Sequence, residues 1–283
     1  MVIRRRSVIR PACRALFPPL PVHFRRTLFS HSRCSGRSGL RDLTKPVDYA
    51  GVVKIIEHWS EFRIDSGTFV HPKDLPYRPQ LKDDGFAEGL IPVPYVGDTV
   101  NAKVIIAMMN PGLEQGANSE HILESRPEMR EALMNNLYQR TETLEFPFMY
   151  LNPQFSFHPG YVYWNFRLKR AMEDYASRHS VSYLNAQKRL SRDFAIIELI
   201  PYHSAEYRGT LHKSLPSSFM AKSAFQALSR RGCLMIIPRR HKEWGFEKPA
   251  TGLVNVTGNT ISYSSRNATI GGEVRRRIVD QVS

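Results

Sequence analysis

The sequence predicts an α/β fold: a three-layer α/β/α sandwich around a central, mainly parallel four-stranded sheet. Three observations lead there. Continuous apolar runs stop abruptly at Asn110-Pro111-Gly112, at Pro201-Tyr202-His203-Ser204 and at Pro238. Such runs, apolar on both faces, are the pattern of buried parallel strands. Amphipathic helical segments separate them, as parallel crossovers require. In open sheets of this kind ligands bind beyond the carboxyl ends of the strands, which here carry the first polar side chains.

Taken in order, residues 1–46 hold ten Arg and one Lys against a single acid, Asp42, a charge of +10 of the chain's +14. The tail is Arg-rich and contains Ser, and its Phe and Leu are interspersed rather than continuous. That is the composition of a mitochondrial transit peptide rather than a secretory signal. A disordered basic arm is the alternative, with a cytoplasmic or nuclear protein behind it. The remainder, 47–283, carries only +4, so charge alone does not establish a nucleic-acid partner.

The folded part is expected to begin after Pro46 as one domain, 47–283. Tyr49 to Phe62 has helical spacing, with Val52, Val53, Ile56 and Trp59 near one face. Residues 63–100 are rich in proline and glycine and read as a packed connection with short extended pieces. The strand 103–109 follows, and a polar loop runs on to Ser125. Pro127 to Gln139 is helical with proline in its first turn. Phe146 to Trp164 is dense in aromatics but broken by Pro147, Pro153 and Pro159, which argues against a regular helix. Helices are expected over Phe166–His179 and Ser182–Leu190, then the strand 194–200. Ser217–Arg230 is a helix ending near Gly232, and 233–237 a third buried strand. Val254–Val256 and Thr260–Tyr263 form a short strand or hairpin turning at Gly258-Asn259. Glu273–Val282 closes the chain as a helix.

Several function classes are excluded. No apolar run reaches the roughly 18 residues of a membrane span. Cys13, Cys34 and Cys233 lie far apart, with no zinc or iron–sulfur spacing, and read as free thiols. The dinucleotide and phosphate-loop glycine motifs are absent, as are HExxH and GxSxG. No cofactor, metal or membrane partner is expected, and the chain reads as a monomer.

The candidate site residues cluster at strand ends. Asn110 offers both donor and acceptor, enough to hold a water or read a polar heterocycle, or simply to cap its own Pro111-Gly112 bend. Glu114 and Glu120 follow on the loop, as bases or as solvated carboxylates. His203 can donate to a developing anion or rest on a backbone carbonyl. Glu198 interrupts an apolar strand. On a central strand it must be paired, protonated or facing a site; on an edge strand it can face water. The aromatic stretch 146–164, Phe157 included, is either a stacking surface for a base or core. Arg239 and Arg240 place charge at the same sheet edge, for phosphates or for solvent. Ser265, Arg266 and Asn267 form a late polar loop able to approach a phosphate backbone.

Met109-Asn110-Pro111-Gly112 is similar to the first motif of the mismatch-specific branch of the uracil-DNA glycosylase superfamily. The strand ending in Leu199-Ile200-Pro201-Tyr202-His203-Ser204 resembles that family's second central strand, whose end recognises the extruded base. Ser264-Ser265-Arg266-Asn267 falls where the family places its second motif. The resemblance spans roughly residues 100–282. It implies hydrolysis of the N-glycosidic bond of a base flipped out of DNA, rather than RNA, as part of DNA repair. It implies Asn110, His203 and Asn267 as catalytic residues, with Asn110 aligning the water. Pro111, Gly112, Phe157, Glu198, Tyr202, Ser204, Ser265 and Arg266 would surround the substrate. The family's His-Pro-Ser is absent, Asn267 being the nearest substitute, and the water-activating Asp of its most efficient members is missing from the first motif. Two further readings stay open: a non-catalytic nucleic-acid-binding or sensing module, and a nucleotide-directed hydrolase with Glu198 as base. The first reading requires Asn110 and His203 to lie within about 12 Å, the reach of one nucleobase.

Overall fold

The computed structural model describes residues 50–64, 69–113, 116–247, 254–263 and 270–283. Glu114, Ser264, Ser265, Arg266, Asn267 and the basic tail lie outside the described residues. The chain is α/β, built on a mixed sheet of six strands among the described residues, in the order β1-β3-β2-β4-β6-β5. These are β1 (Tyr95–Gly97), β2 (Val104–Met108), β3 (Phe194–Glu198), β4 (Leu234–Ile237), β5 (Val254–Thr257) and β6 (Thr260–Tyr263). β2 pairs parallel with β3 on one side and with β4 on the other, and β4 pairs parallel with β6. Both edges run antiparallel: β1 against β3, and β5 against β6.

The four expected strands are present, and the sheet gains two. One arises because the final segment is a hairpin with both arms paired. The other, β1, is three residues long, bounded by Pro94 and Gly97, and too short to show a period. Its Gly97 is obligatory. It sits at φ +97°, and a Cβ there would come within 2.4 Å of the Phe194 carbonyl oxygen.

The helices are α1 (Ala50–Ser60), α2 (Arg78–Asp83), α3 (Ala117–Glu124), α4 (Pro127–Leu137), α5 (Pro159–His179), α6 (Tyr183–Asp193), α7 (Pro216–Arg230) and α8 (Gly272–Val282). α5 starts seven residues before its expected first residue. The end of the aromatic stretch is therefore helical, while residues before it form two 3-10 turns at Met149–Leu151 and Pro153–Phe155. Pro159 starts the helix rather than breaking it, because a first-turn proline loses no intrahelical bond, and His158 caps it by accepting from the Gly160 amide. α2 and α3 replace parts of expected loops. α7 packs on β2, β3 and β4 and holds α1, whereas α8 rests on β2 and β4 and joins α5 and α6. Val104–Ala107, β3 and β4 are buried throughout.

Candidate functional site

The strand order places a topological switch at β2, whose parallel neighbours β3 and β4 lie on opposite sides. Crevices form at such points because the loops leaving adjacent strands diverge. Here a narrow crevice of about 10 Å³ is lined by Ile106 and Met108 of β2, Pro238 and Arg239 beyond β4, Tyr163, Trp164 and Arg167 of α5, and Ile270. The Arg167 guanidinium lies 3.7 Å from the Tyr163 ring centroid.

Beyond β2 and β3 the two chain segments remain zipped together. The Leu199 and Ile200 amides donate to the Met108 and Met109 carbonyls at 3.1 and 2.9 Å, and the Ser204 amide donates to the Pro111 carbonyl at 3.1 Å. Asn110 lies across this seam. Its Nδ2 donates to the Pro111 carbonyl at 2.9 Å and to Ser204 Oγ at 3.0 Å, with the Ser204 carbonyl at 3.3 Å. Carbonyls only accept, so the amide orientation follows from its partners. Asn110 Oδ1 has no hydrogen-bond partner among the described residues.

His203 is buried in the same pair of turns. Its Nδ1 lies 3.4 Å from the Gly112 carbonyl and its Nε2 3.2 Å from that of Ile91. Burial pulls its pKa down, against the opposing pull of Glu120 and the two carbonyls. A neutral imidazole has one N–H, so it donates to one carbonyl and merely touches the other. His203 thus braces the Gly112 turn against the Ile91 segment.

Tyr202, the preceding residue, turns away. Its hydroxyl donates to Asp74 Oδ2 at 2.7 Å and accepts from the His71 amide at 3.1 Å. Asp74 also accepts from the Ser217 hydroxyl at 2.5 Å and the Ser217 amide at 3.1 Å, and His58 Nε2 lies 2.9 Å from Ser217 Oγ. The His58 and His71 rings stack at 3.8 Å. Burial raises the Asp74 pKa against its hydrogen bonds, and burial together with His71 and Lys73 lowers that of His58 to about 3. Serine stands between histidine and carboxylate, with its hydroxyl spent on the carboxylate. The trio is therefore not ordered to activate a nucleophile.

Glu198 ends β3, an inner strand, and is only 4% exposed, which excludes the water-facing alternative. Its Oε2 is buried without a partner, and desolvation drives its pKa well above the carboxylate range. Burial thus favours its uncharged form. Glu198 stands in register with Met108 of the crevice.

On α3 lies a buried cluster that the sequence did not show. Glu120 is buried on α3, not solvated on a loop, and accepts from His158 Nε2 at 3.1 Å. Burial works against its charge, but the His158 bond and the positive potential of His158 and His203 prevail and lower its pKa. Glu124, one turn on, takes the Ile91 amide on both oxygens at 3.0 Å, and burial with the Glu120 charge lifts its pKa to about 8. Among the described residues no group of three or more His, Cys, Asp or Glu is arranged to hold a metal.

The remaining candidates separate. Phe157 is 39% exposed beneath the Arg126 guanidinium and is not among the crevice-lining residues; Tyr163 and Trp164 are. Arg239 lines the crevice. Arg240 adopts φ +58° and donates to the Tyr207 carbonyl at 2.8 Å, with Glu243 at 3.3 Å. That left-handed turn sends the two neighbouring arginines to different partners. No family model matches the chain, and neither a curated protein nor a solved structure matches it.

Proposed function

We propose that the protein is a uracil-DNA glycosylase-like N-glycosyl hydrolase acting on a base turned out of DNA. The observation that carries this reading is Asn110. Its amide nitrogen is pinned across the seam between the ends of β2 and β3. Its oxygen is left to accept a hydrogen bond from a water at the carboxyl edge of the sheet. That water attacks the sugar carbon as the glycosidic bond breaks; the electron pair leaves with the base, and the proton released by the water passes through solvent to the departing base. Pro111, Gly112, Ser204 and His203 act as the frame that fixes Asn110. Arg239, at the mouth, suits a backbone phosphate. The fold that accompanies this reading is a three-layer sandwich, supported by the α1–α7 and α5–α6–α8 groups, which both rest on β2 and β4. The Arg-rich leader favours a mitochondrial setting.

The test is release of free base from duplexes carrying uracil or a thymine mismatch. Wild type is expected to release base, and Asn110→Ala to slow release by about 100-fold or more at unchanged folding. Absence of release by wild type in every base context overturns catalysis. The narrow crevice favours a second reading, a binding module without catalysis, since about 10 Å³ admits a single water. That reading expects salt-sensitive DNA binding without release, weakened by Arg239→Glu.

A further inference from the structure

We propose that the crevice between β2, β4 and α5 seats a phosphate monoester, a dianion, with Arg167 and Arg239 as its two cations and Tyr163 as the platform that holds Arg167. The seat stands without the glycosylase reading; only a DNA strand as the carrier of that phosphate rests on it.

Among the described residues two arginines and no carboxylate line the crevice, and the rest of its wall is apolar or aromatic. Cations beside such walls are weakly screened, so an anion is drawn there strongly. Arg167 stands one turn beyond Tyr163 on α5, which puts both on one face of the helix. Its guanidinium lies 3.7 Å from the Tyr163 ring centroid. Tyr163 meets Trp164 edge-on at 5.1 Å and 76°, and Trp164 meets Phe148 edge-on at 5.5 Å and 90°. This chain of rings orders Arg167 before any ligand arrives, which lowers the cost of binding.

Arg239 is delivered by a strained turn. Arg240, the next residue, adopts φ +58°, a region that side chains with a Cβ rarely enter. It is kept there by its bond to the Tyr207 carbonyl at 2.8 Å and by His241, whose Nε2 lies 3.0 Å from the Ile237 carbonyl at the end of β4. Such strain persists only where the surroundings fix it, and it concentrates at binding sites. Arg239 itself is exposed and makes no hydrogen bond or ion pair among the described residues.

Charge and size select the ligand class. Two guanidiniums match the two charges of a phosphate monoester above about pH 6, whereas a diester carries one. The crevice admits a group the size of a water, which is also the size of one phosphate oxygen. The phosphorus and the carbon chain that bears it therefore stay at the mouth, beside Arg239. A free mononucleotide and the 5′ end of a DNA strand both present this group.

The probes are one oligonucleotide with a 5′-phosphate or a 5′-hydroxyl, and deoxyuridine monophosphate beside deoxyuridine. The full chain is expected to bind each phosphorylated form about ten-fold more tightly than its partner, the value of one charge-assisted contact. That preference should hold at about pH 7.5 and fade toward about pH 5, as the phosphate regains its second proton. Arg239→Gln and Arg167→Gln should each erase it. Tyr163→Leu should reduce it several-fold and Tyr163→Phe restore it, because the ring and not the hydroxyl holds Arg167. Arg170→Gln, on the exposed face of α5, should weaken both oligonucleotides alike and leave the preference intact. A preference for the mononucleotide alone supports the seat and removes the DNA strand as its carrier. The inference is overturned if neither phosphorylated form is preferred, or if Arg239→Gln keeps the preference. It is also overturned if Arg170→Gln erases the preference as fully as Arg239→Gln, the result for general charge. Base release without either preference removes the inference alone; a preference without base release removes the glycosylase reading alone.

Discussion

Two buried polar regions leave the end of β3 in opposite directions and have opposite characters. Tyr202 enters a closed network in which Asp74, Ser217, His58 and His71 satisfy one another. Glu198, four residues earlier, is just as buried but has an oxygen with no partner. A closed network stabilises, because each desolvated group recovers its hydrogen bonds. An open carboxyl costs stability, because its desolvated oxygen recovers no hydrogen bond. Burial alone does not distinguish the two regions; hydrogen-bond satisfaction does.

The predictions set the two regions against each other. The largest effect is expected from Asp74→Ala, which strands the Tyr202 and Ser217 donors. It should lower stability in urea by about 3–5 kcal/mol, with base release per folded molecule unchanged. A loss below about 1 kcal/mol would show that the network is not closed.

Next comes pH. His58 falls from 6.5 to about 3 on folding, so its contribution is present above pH 6.5 and lost progressively toward pH 3. Glu124 rises from 4.5 to about 8, so its contribution is full below pH 4.5 and lost as pH climbs to 8. The closed network should thus fail in acid and the Glu124 side in alkali. Glu124→Gln keeps the acceptor for Ile91 and should raise stability at pH 8 by about 1–3 kcal/mol, flattening the alkaline slope. Denaturation curves from pH 4 to 9 check both signs.

Tyr202→Phe removes one satisfied hydroxyl and should cost about 1–2 kcal/mol without touching base release. The smallest stability effect belongs to Glu198→Leu. Removing an unpartnered carboxyl should leave the melting point unchanged or raise stability by about 1 kcal/mol. Destabilisation by Glu198→Leu comparable to that of Asp74→Ala would erase the distinction between the regions.

Much of the fold was legible because its signals are local. The apolar runs that became β2, β3 and β4 carry their own terminators, and the helix spacing of α1, α4 and α7 is written within each segment. β1 was not legible, since three residues have no period. α3 was hidden by its polarity: its inward groups are Glu120 and Glu124, held by His158 and the Ile91 amide rather than by apolar packing. The site was half legible. Asn110, Glu198 and Arg239 follow from strand ends, whereas Tyr163, Trp164 and Arg167 reach the crevice only through the placement of α5.

By itself, then, the sequence determined where strands stop and that Asn110 stands at such a stop, because hydrophobic period and the backbone limits of proline and glycine act within a few residues. Only the tertiary structure decided that Tyr202 turns to Asp74 while His203 braces Gly112, and that Arg239 meets the crevice while Arg240 caps Tyr207. Those outcomes depend on partners as many as 128 residues away in the chain, brought close by packing that no local pattern encodes.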